Sequence, residues 1–314
     1  MGGGSWSPSS WATHATATAS MSRSALYSSR GIKKELDPKG VAVRESRDST
    51  EHPESTAIAV FLDVTGSMGF IAEKIAKEGL GTLFQEILDR KPVSDPQLLF
   101  GAIGDVRCDS APLQVSQFES DNRIVEQLTG IYLESGGGGN DTESYDFPWY
   151  FAAKHMAADC FEKRGKKGYL FTVGDESTPA GITPEHLKEF LGSTEEITEE
   201  LSAEELLAMA EKKWNCYHII VEEGNYCSSR GRDAVLRKWQ DLMGQRAVPL
   251  SDYTKLPEVI ISLIQLSGGA DKKKVVDSWD GSTSVAVAAA LDGVSIVGAS
   301  GGSGGSGRSG MVKL

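Results

Sequence analysis

The chain has few of the residues that mark several large classes of protein. Its four cysteines include no Cys-x-x-Cys pair, so we expect reduced thiols, no zinc site and a cytoplasmic location. Its 32 basic residues are outnumbered by 44 acidic ones, and the net charge of −12 argues against a nucleic-acid-binding face. No apolar run approaches the ~18 residues of a membrane span, and no signal peptide is recognisable. We therefore expect a soluble protein that binds neither nucleic acid nor membrane.

Apolar and amphipathic segments alternate from residue 56 to residue 266, with short connections between them. This alternation predicts an α/β domain with a doubly wound, mostly parallel, Rossmann-like sheet. Residues 112–118 alternate between apolar and polar side chains, which indicates an edge strand antiparallel to its neighbour.

Both ends of the chain differ in composition from this region. Residues 1–55 begin with Gly, Ser, Ala and Thr and continue with a charged stretch, which predicts a flexible N-terminal arm. A transit peptide, or docking of Trp6 and Trp11 on a partner, are alternatives for the arm. Residues 267–314 form a C-terminal extension that ends in a Gly/Ser-rich tail, for which we expect flexibility.

A polar cluster follows the first long apolar run. Residues 57–62 are apolar, and Asp63, Thr65 and Ser67 then place a carboxylate and two hydroxyls at alternate positions before a helical pattern. Open α/β sheets bind ligands at the carboxyl ends of their strands, and hard oxygen ligands suit a small divalent cation. The cluster therefore predicts a cation site, although a simple turn with a helix cap would use the same residue types.

Two later loops carry similar oxygen-bearing residues. Glycines 136–139 precede Asp141, Thr142 and Glu143 at a predicted helix start, and Asp175 ends the apolar run at 169–173. The simpler interpretations are a flexible linker for the first loop and an Asx turn for the second. Together with the first cluster, however, the two loops supply further ligands at the same predicted edge of the sheet.

These three loops resemble the metal-ion-dependent adhesion site (MIDAS) of von Willebrand factor A (VWA) domains, of the intracellular type. The first loop is similar to the family pattern Asp-x-Ser-x-Ser, with Thr65 keeping the hydroxyl of the usual Ser. The third resembles Gly-Asp-x-x-Pro, with one extra residue before Pro179. The resemblance extends over residues 56–266.

The second loop resembles a branch of the family with Gly-Gly-Gly-Asp-x-Pro-Glu. This chain has Asn140 in place of that Asp and Thr142 in place of the Pro. The departures leave the third metal ligand open between Thr142 and Glu143, with Asp141 behind them.

The resemblance implies a function as well as a site. Thr65 and Ser67 would bind the ion directly, and Asp63 and Asp175 would hold it through water or switch to direct contact. The all-oxygen ligand set favours Mg²⁺, with Mn²⁺ as a substitute. An open position on the ion would then capture an Asp or Glu of a partner protein within an intracellular multiprotein assembly, with an AAA-type ATPase as the expected kind of partner.

Two other functions stay open. The chain could be a scaffold that uses its arm and tail while the metal site is silent. A metal-dependent hydrolase is less favoured, because the sequence shows neither Gly-x-x-x-x-Gly-Lys-Ser/Thr nor an evident Ser-His-Asp arrangement. We therefore predict a binding module, not an enzyme.

Overall fold

The computed structural model describes residues 29–133 and 141–295, together with positions 7, 9, 12, 13 and 16. In this part of the chain the central sheet has six strands: β1 Thr56–Asp63, β2 Pro96–Ile103, β3 Leu113–Val115, β4 Gly168–Gly174, β5 Trp214–Val221 and β6 Ala247–Leu250. Their spatial order is β6-β5-β4-β1-β2-β3, and every pair is parallel except β2 with β3. The predicted α/β class, with one antiparallel edge strand, is confirmed.

Helices cover both faces of this sheet. They are α1 Gly69–Lys74, α2 Leu80–Arg90, α3 Arg123–Thr129, α4 Phe147–His155, α5 Asp159–Glu162, α6 Pro184–His186, α7 Ala203–Ala210, α8 Arg232–Met243, α9 Leu256–Ser267, α10 Lys272–Asp277 and α11 Gly281–Ala290. Single π-helical turns at Ile75–Gly79, Leu187–Leu191 and Cys227–Gly231 adjoin α2, α6 and α8. None of the helices described combines the length and the apolar character needed to cross a membrane.

The apolar runs of the sequence form these strands because the sheet is buried on both faces. In β1, Ile58 and Val60 join one hydrophobic cluster, whereas Ala59 and Phe61 join the cluster on the opposite face. The order of the strands reverses between β1 and β4, which places a crevice at the carboxyl ends of these two neighbours. Asp63 is the last residue of β1 and Asp175 directly follows β4, so both face this crevice.

Residues 29–55 follow a defined path over the domain, which differs from the flexible arm expected from composition. Leu36 is buried in the core, and Arg44–Ser46 pairs in parallel with Met156–Ala158. A single buried leucine and a backbone ladder leave no periodic pattern in a charged sequence, so composition could not reveal them. The boundary predicted at residue 55 stays a prediction, and most of residues 1–28 lie outside the described part of the chain.

The C-terminal extension packs on the domain as far as residue 295. Val275, Trp279 and Val287, from α10, α11 and the turn between them, are buried in the same cluster as α9. The guanidinium of Arg90 lies 3.3 Å from the centre of the Trp279 ring, a cation–π contact that ties α2 to this extension. The predicted flexible tail from residue 296 lies outside the described residues.

Candidate metal centre

The end of β1 forms a tight polar turn around Asp63. Oδ1 of Asp63 accepts hydrogen bonds from the backbone N–H of Thr65 at 2.9 Å and from its hydroxyl at 2.6 Å. Helix α1 begins only after Met68, and no side chain caps it. The simpler interpretation is thus correct for the turn, which Asp63 and Thr65 form, and wrong for the helix cap.

The first and third loops meet at this turn. The hydroxyl of Ser67 donates a 2.8 Å hydrogen bond to Oδ1 of Asp175 and lies 3.2 Å from the hydroxyl of Thr65. Asp63, Thr65 and Asp175 are buried, whereas Ser67 is half-buried. The structure thus brings together four of the six residues proposed from sequence as metal ligands.

The second loop reaches the third loop through its backbone. Thr142 forms an isolated parallel bridge with Ser177, and the N–H of Glu143 donates to the carbonyl of Ser177 at 3.0 Å. Thr142 is half-buried, Glu143 is buried and Asp141 is exposed. The choice between Thr142 and Glu143 stays open, and Asn140 and the glycines at 136–139 lie outside the described residues.

The centre concentrates buried carboxyl groups. Burial and the nearby Asp175 raise the pKa of Asp63 to about 7, and burial also raises the pKa of Asp175. Burial and Asp63 raise the pKa of Glu143 to about 10 and that of Glu176 to about 8. Across residues 29–133 and 141–295, no lysine or arginine forms an ion pair with these four carboxyl groups. Oε2 of both Glu143 and Glu176 is buried without a hydrogen-bond partner.

These groups fit a hard cation. Each hydroxyl donates its one hydrogen to a carboxylate, Thr65 to Asp63 and Ser67 to Asp175, so its lone pairs remain free for a metal ion. Adjacent ligands of an octahedral Mg²⁺ at 2.0–2.1 Å lie roughly 2.9 Å apart, close to the 3.2 Å between these hydroxyls. No three His, Cys, Asp or Glu side chains in the described chain form a metal-holding group by themselves. A metal here would therefore need the two hydroxyls.

Several residues of the centre were not proposed from sequence. The hydroxyl of Tyr145 donates to Oδ2 of Asp63 at 2.5 Å, and Glu176 is buried next to Asp175. Tyr145 follows Glu143 closely in sequence, but an aromatic residue at a helix start is typical of a core position. The only sign of Glu176 in the sequence is its position directly after Asp175, a proposed ligand.

A further loop also supports the centre. The N–H of Asn225 donates to the carbonyl of Ser67 at 3.0 Å, and that of Tyr226 donates to Oδ2 of Asp175 at 2.8 Å. A Cβ at Gly224 would overlap the Asp175 side chain, so only glycine allows this approach. No motif in the sequence points to this loop.

Comparison with known proteins finds similarity only among solved structures. No protein-family model matches the chain, and no curated protein matches it. The pilus adhesin SpaC from Lactobacillus rhamnosus GG, in its open conformation, is 8% identical with a TM-score of 0.48, over 70% of this chain and 31% of the adhesin. A von Willebrand factor type A structure from Catenulispora acidiphila is 11% identical with a TM-score of 0.37, over 68% of this chain and 42% of that structure. The chain thus spans less than half the length of either structure.

Proposed function

We propose that this chain is a metal-ion-dependent protein-binding module that captures a partner's Asp or Glu carboxylate through a bound Mg²⁺ or Mn²⁺. The observation that carries the proposal is the meeting of Asp63 and Asp175 through the hydroxyls of Thr65 and Ser67. Buried carboxylates without a basic partner destabilise a fold unless they are protonated or a cation neutralises them. A divalent cation satisfies that need and the lone pairs of both hydroxyls.

Each residue has a separate task in this proposal. The hydroxyls of Thr65 and Ser67 contact the ion, and Asp63 and Asp175 accept their hydrogens and so hold both oxygens in place. Thr142 or Glu143 provides the third protein ligand. When bound, the cation supplies an electrophilic position that attracts a carboxylate to an otherwise acidic protein. The hydroxyls that contact the ion are neutral, and the carboxylates of Asp63 and Asp175 lie behind them. The centre therefore favours an additional anionic ligand.

The wider context is also part of the proposal. We place the module in the cytoplasm, in an assembly with an AAA-type ATPase, and assign it no catalytic activity. His218 is not proposed as a general base, because this buried histidine bonds the Thr172 hydroxyl at 2.9 Å and stacks on Trp239.

A matched pair of threonine variants tests the metal site. Thr254 repeats the local geometry of Thr65, since its N–H and hydroxyl both bond Oδ1 of Asp252, at 3.0 and 2.6 Å, in an exposed turn. Calorimetric titration with Mg²⁺ and Mn²⁺ should show binding by the wild-type chain and by Thr254→Ala, and none by Thr65→Ala. Equal affinities in all three proteins would contradict the metal site.

A second experiment separates the binding module from its rivals. A partner captured by the wild-type chain should be released by EDTA and should not be captured by Thr65→Ala. A partner retained under both conditions would favour the scaffold with a silent metal site. Hydrolysis of phosphate esters in Mg²⁺ that disappears in Thr65→Ala would favour the enzyme.

A further inference from the structure

Tyr145 joins two of the loops that build the centre. Its hydroxyl donates a 2.5 Å hydrogen bond to Oδ2 of Asp63 and accepts one from the N–H of Glu176 at 3.3 Å. The side chain of Tyr145 is completely buried. A single hydroxyl therefore connects the end of β1 with the residue that follows Asp175.

The position of the Tyr145 ring is fixed by its surroundings. It packs edge-on against His218 and Trp239, with ring centres 4.8 and 5.5 Å away. The indole N–H of Trp239 in turn donates to the carbonyl of Glu176 at 2.8 Å. A Cβ at Gly174 would overlap the Tyr145 hydroxyl, so the last residue of β4 must be glycine for the ring to fit. The hydroxyl is consequently held in one place.

These contacts engage both oxygens of the Asp63 carboxylate. Oδ1 receives two hydrogen bonds from Thr65, and Oδ2 receives the short one from Tyr145. Both lone pairs of Oδ1 are therefore engaged, whereas Oδ2 keeps one lone pair beside the bond from Tyr145. An ion that draws Asp63 into direct contact through Oδ2 competes with Tyr145 for that oxygen. The geometry of the free protein therefore favours an Asp63 that stays behind Thr65 and does not touch the ion.

We infer that Tyr145 is a positioning residue that keeps Asp63 out of direct contact with the bound cation and so reserves the cation for a partner's carboxylate. This inference rests on the proposed function. With Asp63 held behind Thr65, the ion carries fewer anionic ligands and attracts an incoming carboxylate more strongly. Direct contact by Asp63 would partly neutralise the ion and displace one of its waters.

The variant Tyr145→Phe tests this role because it removes only the hydroxyl. We expect opposite effects: Mn²⁺ binds roughly three- to tenfold more tightly, whereas acetate binds the Mn²⁺-loaded protein more weakly by a similar factor. Calorimetry measures the affinity for Mn²⁺. Water-proton relaxation measures the waters on Mn²⁺ and their displacement by acetate, with acetamide as the uncharged control. The variant should hold about one water fewer than the wild-type protein.

Two further variants make the result specific. Tyr217→Phe removes another buried tyrosine hydroxyl, bonded to Ser267 at 2.7 Å near the opposite end of the sheet, and should leave Mn²⁺ and acetate binding unchanged. Asp63→Asn, which itself weakens metal binding, should bind Mn²⁺ equally weakly with and without Tyr145→Phe, because the gain comes from the Asp63 carboxylate.

The outcomes distinguish the inference from the proposed function. If the wild-type chain binds no Mn²⁺, the proposed function fails and the inference fails with it. If the wild-type chain binds Mn²⁺ but Tyr145→Phe changes neither affinity, or weakens both, only the role of Tyr145 is overturned. Relaxation of the wild-type complex gives a check that does not depend on folding of the variant. With three protein ligands on an octahedral ion, about three exchangeable waters on Mn²⁺ support the inference, and about two or fewer contradict it.

Discussion

The hydroxyl of Ser67 lies 2.8 Å from Oδ1 of Asp175, although 108 positions separate the two residues in the chain. This contact joins the turn after β1 to the turn after β4. In the proposed function the same hydroxyl also contacts the cation, so its loss removes a metal ligand and one of the hydrogen bonds to Asp175. We expect Ser67→Ala to weaken Mg²⁺ binding, measured by calorimetry, by more than about 100-fold. The free energy of unfolding should change by only about 1 kcal/mol.

Ser116→Ala is the control for this variant. The buried hydroxyl of Ser116 accepts a hydrogen bond from the N–H of Phe100 at 2.9 Å, away from the centre. Its removal should lower stability by about 1–2 kcal/mol and leave Mg²⁺ affinity as it is. A Ser67→Ala protein that binds Mg²⁺ like the wild type would remove Ser67 from the ligand set.

The second prediction concerns the stability of the metal-free protein. Asp63 is fully buried close to Asp175, so its charge opposes folding when no cation is present. We expect Asp63→Asn to raise the free energy of unfolding by about 1–2 kcal/mol at pH 8 in EDTA. Urea unfolding measures this change. The same variant should lose the additional stability that Mg²⁺ gives the wild-type protein.

Asp48 supplies the opposite case. Hydrogen bonds from Arg164 lower the pKa of Asp48, so its charge favours the folded state. Asp48→Asn should therefore lower stability, with and without Mg²⁺. If Asp63→Asn and Asp48→Asn both lower stability in EDTA, the charge of Asp63 does not oppose folding.

The third prediction is the effect of pH on the metal-free protein. Asp63 and Glu176 keep their protons up to about pH 7 and 8 in the folded state, whereas the unfolded chain ionises them near pH 4. The folded state thus binds more protons between pH 6.5 and 8, so the free energy of unfolding falls as the pH rises, by up to ~1.4 kcal/mol per pH unit and group.

The range from pH 6.5 to 8 avoids an opposing contribution of His218 to the free energy of unfolding. Burial holds the pKa of His218 well below its usual value, so only the unfolded chain protonates this residue, mostly below pH 6.5. Urea unfolding at three pH values in EDTA, and again in saturating Mg²⁺, measures the effect. Saturating Mg²⁺ should remove or reverse the slope, because it favours the ionised carboxylates. A stability that rises with pH in EDTA would contradict the prediction.

The fourth prediction concerns the surface beside the centre. Phe70 lies in the first turn of α1, three residues after Ser67, and is 64% exposed, and its ring lies edge-on to Tyr253 at 6.1 Å. We expect a partner that reaches the ion to cover this aromatic pair, because Phe70 follows Ser67 closely in the chain and is exposed. We expect Phe70→Ala to weaken partner binding by about tenfold, with Mg²⁺ affinity and stability nearly unchanged. Val285→Ala, at an equally exposed site on α11, serves as the control and should change none of these.

The sequence was sufficient to predict the sheet because its parallel strands are buried on both faces and therefore appear as continuous apolar runs. It was also sufficient to place Asp63 and Asp175 together, since both directly end such runs. The role of Tyr145 was not predictable, because its bond to Asp63 joins residues 82 positions apart and its ring has the usual character of a core residue. The backbone donors of Asn225 and Tyr226 have no side-chain signature at all.

The segment before β1 covers the edge of the sheet that β3 forms. At this edge the N–H of Val115 donates to the carbonyl of Leu36 at 2.8 Å, and Arg44 donates to the carbonyl of Val115 at 3.2 Å. These bonds occupy strand positions that could otherwise pair with another chain. Proteolytic loss of residues up to 55 would leave β3 open on that side. A shortened domain should then associate edge to edge with its own copies, so recombinant versions are best begun well upstream of Leu36.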